Sequence, residues 1–121
     1  MGLDMYAGVT DQDIPAVDFG EPKSWSELYY WRKHPNLHGW MEQLYRSKGG
    51  EAEQFNCVAV RIDPCDLDAL ELAINDNRLP QTHGFFFGQS DGSEKADDLA
   101  FIHKARDALA RGKRILYWSW W

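Results

Sequence analysis

The six tryptophans of this 121-residue chain fall in two stretches: Trp25, Trp31 and Trp40 in one, and Trp118, Trp120 and Trp121 in the other. Indole carries the largest apolar body of any side chain and is costly to leave in water. Residues 118–121 must therefore belong to packed structure, and the clustering predicts that they lie against the first group. A chain of this length can bury about two thirds of the surface its unfolded form exposes. One globular domain over residues 1–121 is expected, with its own core.

Composition narrows the class. Apolar residues make up 44% of the chain, far from a disordered composition. No apolar run approaches the roughly 20 residues that cross a bilayer. The N-terminus shows no basic segment leading into an apolar stretch, so the expectation is a cytoplasmic protein without a membrane role. Thirteen Lys and Arg against nineteen Asp and Glu leave a net charge of -6. That balance disfavours nucleic acid as a partner, because phosphate binding needs a basic surface. The charge is also segregated. Asp4, Asp11, Asp13, Asp18 and Glu21 precede the first basic residue, whereas Lys104, Arg106, Arg111, Lys113 and Arg114 gather near the end. The two regions are expected to attract each other, or the acidic one to engage a basic protein. Cys57 and Cys65 lack C-x-x-C spacing and are read as reduced thiols.

The periodicities predict a sequence of elements. Residues 3–9 alternate as a strand, and 10–22 form a loop rich in Asp, Pro and Gly. Ser24-Trp25-Ser26-Glu27 has the S-x-x-E form of a capping box, which predicts a helix from Trp25. Pro35 would interrupt that helix. Leu37, Trp40, Met41, Leu44 and Tyr45 then form the apolar stripe of a second helix ending at Gly49-Gly50. Residues 55–62 read as a strand. Asp63-Pro64, with Asp66 in the first turn, opens a helix to about Asn75 that buries Leu67, Leu70 and Ile74. Gly84-Phe85-Phe86-Phe87-Gly88 reads as a buried strand, and Asp91-Gly92-Ser93 as a turn. A last helix runs from about Glu94 to Arg111, with Gly112 beyond its end. Ile115 to Trp120 forms a final strand, bulky on both faces and hence an inner one. The fold class is α+β: a small mixed sheet of about four short strands packed with about four helices, in the order β-α-α-β-α-β-α-β.

Chemistry concentrates in Tyr29-Tyr30-Trp31-Arg32-Lys33-His34-Pro35-Asn36-Leu37-His38-Gly39-Trp40. Cations beside flat rings suit an anionic planar ligand or a protein hot spot. The candidate binding residues are Tyr30, Trp31, Arg32, Lys33, His38 and Trp40, with His83 and Phe86 as a pocket wall. Trp118, Trp120 and Trp121 are candidates for an interface between copies of the chain. His34 and His38 have the i, i+4 spacing of metal ligands, but Pro35 between them spoils the helical geometry, so neither a metal nor any other cofactor is expected. No catalytic residue is assigned. Hydrolase chemistry is represented only by Cys57 or Cys65 with His38, a pairing open to any sequence holding Cys and His, and no G-x-S-x-G nucleophile elbow is expected.

The start Met1-Gly2-Leu3-Asp4-Met5-Tyr6, Tyr30-Trp31-Arg32-Lys33, His38 with Trp40, Gly84-Phe85-Phe86-Phe87-Gly88 and Tyr117-Trp118-Ser119-Trp120 together resemble a family of short proteins from tailed phages, prophages and bacterial chromosomes. The likeness spans nearly the whole chain. It implies no catalytic residues; Arg32 and His38 match the family pattern, whereas relatives tend to carry a small residue at the position of His34. Some members bear the label phosphoglycerate kinase, which does not suit a sequence of this size with no phosphate-cradling loop. The expected function is a non-enzymatic accessory protein of phage or mobile-element type. It would bind a host protein or a small anionic, nucleotide-like ligand through the aromatic-cationic stretch, in a counter-defence setting implied by the resemblance. The alternative is a small enzyme acting on a nucleotide-like substrate, with His38 as acid or base.

Overall fold

Every helix in this protein ends the same way, and each ending is written in the sequence. In a computed structural model, which describes residues 2–84 and 87–121, three helices appear: α1 (Pro35–Ser47), α2 (Pro64–Asn75) and α3 (Lys95–Ala110). Gly49, Asn77 and Gly112 follow the respective C-caps with φ of 102°, 54° and 82°. Each donates its amide to the carbonyl three residues back, and the next residue donates to the carbonyl five back, as in Gly112 to Leu109 and Lys113 to Ala108. These paired bonds satisfy carbonyls that a helix end would otherwise leave bare, and glycine or asparagine tolerates the left-handed turn they need. The helix starts are equally local. Pro35 and Pro64 occupy first-turn positions of α1 and α2, where a missing amide costs nothing. The Asp66 carboxylate also accepts the Asp63 N–H at 2.8 Å.

Four strands, β1 (Asp4–Thr10), β2 (Ser26–Arg32), β3 (Ala59–Ile62) and β4 (Arg114–Trp120), form one sheet in the order β2-β1-β4-β3. Every neighbouring pair is antiparallel. Met5, Ala7, Val60, Ile62, Ile115 and Tyr117 turn one face toward the helices, where Leu37, Met41, Tyr45, Leu67, Leu70, Ile74, Phe101, Ile102 and Ala105 complete a single core. As expected from its two bulky faces, β4 is an inner strand. The segregated charges meet too, Lys113 with Asp11 at 2.8 Å and Arg114 with Asp13 at 2.7 Å. Cys57 and Cys65 are free and exposed. Among the described residues no helix is long and apolar enough to cross a membrane.

The α+β class holds, with several corrections inside it. The sheet is antiparallel and not mixed, three helices replace four, and the order is β-β-α-β-α-α-β. The helix expected from Trp25 is instead strand β2. Its Ser-x-x-Glu signal is local, whereas Tyr29 to Trp31 are large and aromatic, suited to a pleated surface, and the strand from Ser26 to Arg32 pairs with β1 from Val9 to Asp4. Pro35 consequently opens α1 and does not break a longer helix. β3 is four residues long, because Cys57 adopts a left-handed φ of 59° and its amide bonds the Ser119 carbonyl at 2.8 Å. Gly84, Phe87 and Gly88 lie in no strand. Phe87 is buried against the His38 and Trp121 rings; Phe85 and Phe86 lie outside the described residues.

Candidate functional site

Alternation along β2 separates the residues that the sequence groups together. Trp31 points into the core, 5% exposed, while Tyr30 and Arg32 on either side of it face outward. The outer face is the one opposite the helices. Across it Tyr30, Tyr6 and Trp118 lie in register on three adjacent strands. Tyr6 stacks on Trp118 with centroids 4.5 Å apart and planes 17° apart, and Tyr30 tilts against Tyr6 at 5.2 Å. Trp25 meets Trp118 edge-on at 6.5 Å and extends the row. It can do so because position 8 is glycine: a Cβ there would stand 2.8 Å from the Trp25 ring. The result is an aromatic ladder on a sheet face that no helix covers among the described residues.

One end of the ladder is charged. Asp4 accepts hydrogen bonds from the Tyr30 hydroxyl at 2.6 Å and from Arg32 at 2.8 Å. The Tyr30 bond, followed by Arg32, holds the Asp4 carboxyl below its ordinary range despite partial burial. The Tyr30 hydroxyl is pushed up, chiefly by the same bond. Trp120 stands beside this group, opposite Asp4 in register and 62% exposed. The other end opens into a cavity of about 250 Å³ between Trp25, Trp118, Leu116, Ala59 and the Phe19–Pro22 loop.

The remaining candidates lie elsewhere. His38 is 1% exposed, with Nδ1 2.7 Å from the buried Tyr117 hydroxyl. Burial lowers its pKa to about 4 against an opposing hydrogen bond to the Phe55 backbone. It is neutral at pH 7 and enclosed by Phe55, Phe87 and Tyr117. Lys33 is exposed at the joint between β2 and α1, with φ of 55° and its amide on the Leu3 carbonyl. Trp40 packs half-buried on the core. His83 is exposed beside the groove formed with Gly39, Glu42 and Arg46. Of the three C-terminal tryptophans, Trp118 is in the ladder and Trp120 exposed. Trp121 is tied down by its Nε1–H to the Phe55 carbonyl at 2.9 Å and by Asn56. Among the described residues no three His, Cys, Asp or Glu side chains converge as metal ligands.

A second constellation, absent from the expectations, lies on the helical side. His34 is 3% exposed, with Nδ1 2.6 Å from Ser90 Oγ and Nε2 2.8 Å from Asp98 Oδ2. Trp31 Nε1–H donates to Asp98 Oδ1 at 3.1 Å, and the Asn36 amide donates to Ser90 Oγ at 3.1 Å. Burial raises the Asp98 pKa, opposed by its bonds to His34 and Trp31. The signal was legible: Gly88-Gln89-Ser90-Asp91-Gly92 is a G-x-S-x-G sequence. It overlaps the Asp91-Gly92-Ser93 turn, whose residues serve both patterns, so the expectation of no G-x-S-x-G elbow is corrected. Comparison with family models, with curated proteins and with solved structures gives no match to this chain.

Proposed function

We propose that this chain is a binding module whose helix-free sheet face captures a small anionic, nucleotide-like ligand. The observation that carries the reading is the ladder itself. Tyr30, Tyr6 and Trp118 stand in register, with Arg32 and the exposed Trp120 at one end. A planar ring gains stacking energy on such a surface, and a guanidinium supplies a planar, permanently charged contact for phosphate or carboxylate. A bacterial host protein is the second reading, favoured by Trp120 and Tyr30 as large exposed rings of the kind that anchor interfaces. An accessory role in a phage or mobile element, acting against a bacterial defence, is the setting that the resemblance in sequence adds to this proposal. Self-association through Trp120 is a further outcome of the same surface.

The test is titration of the protein with nucleoside monophosphates, followed by tryptophan fluorescence and native mass spectrometry, beside pull-down from bacterial lysate. Arg32→Ala and Trp120→Ala are expected to keep the melting temperature near that of the parent, since both side chains are exposed. They are also expected to weaken capture at least about tenfold, the effect of losing roughly 1.4 kcal/mol of contact. Capture unchanged in both variants would remove the outer face from the site. Sedimentation of the parent and Trp120→Ala separates self-association from ligand capture.

A further inference from the structure

We propose that Ser90, His34 and Asp98 form a serine-hydrolase site for small carboxylic esters, in the cavity where α1, α2 and α3 meet. The directions of the hydrogen bonds carry the inference. An ionised carboxylate can only accept, so Asp98 requires the proton of His34 on Nε2. In the neutral imidazole Nδ1 is then bare, and the 2.6 Å contact is Ser90 Oγ–H donating to it. Trp31 holds the second oxygen of Asp98, and the Asn36 amide donates to Ser90 Oγ, where it stabilises the oxygen as its proton leaves. Nucleophile, base and orienting acid are thus in sequence and in reach. The imidazole is turned so that Nδ1 and not Nε2 faces the hydroxyl. The relay requires only that one nitrogen be protonated and the other free, which either orientation satisfies.

The loop that carries Ser90 is shaped by its glycines. Gly88 has φ of 75°, and a Cβ there would stand 2.9 Å from Lys33 Cβ; Gly92 has φ of 92°. Together they turn the loop so that Ser90 sits over the start of α1. Ser90, His34 and Asp98 line a cavity of about 170 Å³, with Ile74 and Leu79 as apolar wall and Asn77, Lys95 and Glu94 as polar wall. This space admits an acyl group of a few carbons. In the first half-reaction Ser90 Oγ bonds to the ester carbonyl carbon, its proton moves to His34 Nδ1, and the carbonyl π pair moves onto oxygen. Collapse breaks the ester C–O bond, and the leaving alkoxide takes the proton from Nδ1. Water then attacks the acyl-Ser90 carbon, passing a proton to Nδ1. A second collapse releases the acid and returns that proton to Ser90. Ester and water become acid and alcohol, and no other reactant is needed.

This site is on the opposite side of the sheet from the ladder and is independent of the binding proposal. The experiment treats the full chain with a fluorophosphonate probe and, separately, with p-nitrophenyl acetate. A single adduct mapped to Ser90 is expected, and Ser90→Ala should lower hydrolysis about a hundredfold or more, the scale of positioned acid-base catalysis. No adduct, labelling at other residues, or equal rates in parent and Ser90→Ala would overturn the proposal. Ser90 also caps the Asn36 amide, so Ser90→Cys provides a measurement free of folding ambiguity. Its thiol beside His34 should be alkylated by iodoacetamide faster than Cys57 and Cys65, and equal or slower alkylation overturns the base role of His34. Asp98 is a positioning residue. Asp98→Asn should lower kcat for p-nitrophenyl acetate with KM unchanged, and an unchanged kcat overturns its role.

Discussion

Lowering the pH should destabilise this protein through one imidazole. His38 is packed against Phe55, Phe87 and Tyr117 at 1% exposure, and its burial lowers the pKa from 6.5 to about 4. The unfolded chain therefore takes up a proton near pH 6.5 that the folded chain refuses until about pH 4. Stability rises with pH wherever the unfolded state binds more protons, so this contribution is fully present above pH 6.5 and is lost as pH falls toward 4. The gap between the two values, at 1.36 kcal/mol per pH unit, corresponds to about 3 kcal/mol across the window. Integration to pH 5 places about 2 kcal/mol of that loss above it. A domain of this size has roughly 5–15 kcal/mol in total, so the loss is large. Urea unfolding at pH 7.5, 6 and 5 measures it. Carboxylates titrate in the same range, and Asp98, whose pKa burial raises, works in the opposite sense by favouring the folded state in acid. The comparison is therefore with His38→Gln, which keeps every carboxylate. The parent should lose about 2 kcal/mol more than His38→Gln between pH 7.5 and 5. Parallel pH dependence in the two proteins would refute the assignment of a buried neutral His38.

Two core substitutions test the packing that carries the sites. Gly8→Ala places a methyl 2.8 Å from the Trp25 ring, and the crowding should cost about 1–3 kcal/mol. Loss of near-ultraviolet circular dichroism from a displaced Trp25 would accompany it, and a Tm within error of the parent would show that Trp25 does not rest on Gly8. Trp31→Phe keeps a ring against Phe101 but removes the N–H that Asp98 accepts. Leaving that buried oxygen short of a donor should cost about 1–3 kcal/mol in urea unfolding, and no change would mean that water replaces the indole.

How much of this was legible in the sequence differs by element, for physical reasons. The helices were, because their limits are local chemistry: proline in the first turn, Asp63 and Asp66 around Pro64, glycine after the last turn. Strand β2 was not. Its capping-box spelling competes with a run of aromatics, and only pairing with β1, which is remote in sequence, decides between them. Splitting of the aromatic-cationic stretch follows from the same error, since a helix would have placed Tyr30, Trp31 and Arg32 around a cylinder and a strand sends them to opposite faces. That Tyr30, Arg32, Trp118 and Trp120 share one face is a consequence of register among β2, β1 and β4. The Ser90, His34 and Asp98 array joins residues 56 and 64 positions apart. Only its G-x-S-x-G element was visible locally, and its turn-forming residues masked it.

Strand β2 reaches both proposed sites at once, and its register matters more than its length. Toward the helices it sends Trp31 to Asp98, and toward the open face Tyr30 and Arg32 to Asp4. The pairing shifts at Ala7 and Gly8: Ala7 faces Tyr29, but Gly8 faces Glu27, so Leu28 is the extra residue of a bulge. On an unbroken strand Glu27 would share the inward face of Tyr29 and Trp31, since side chains alternate with period two. That would put a carboxylate on the helix-facing side of the sheet, in line with Tyr29 and Trp31. The bulge reverses the phase of the strand below Tyr29 and leaves Glu27 exposed opposite Gly8, while everything above it keeps its face. One inserted residue thus lets a sequence with a charge at the wrong position hold an indole against Asp98 on one side and a tyrosine-arginine pair against Asp4 on the other.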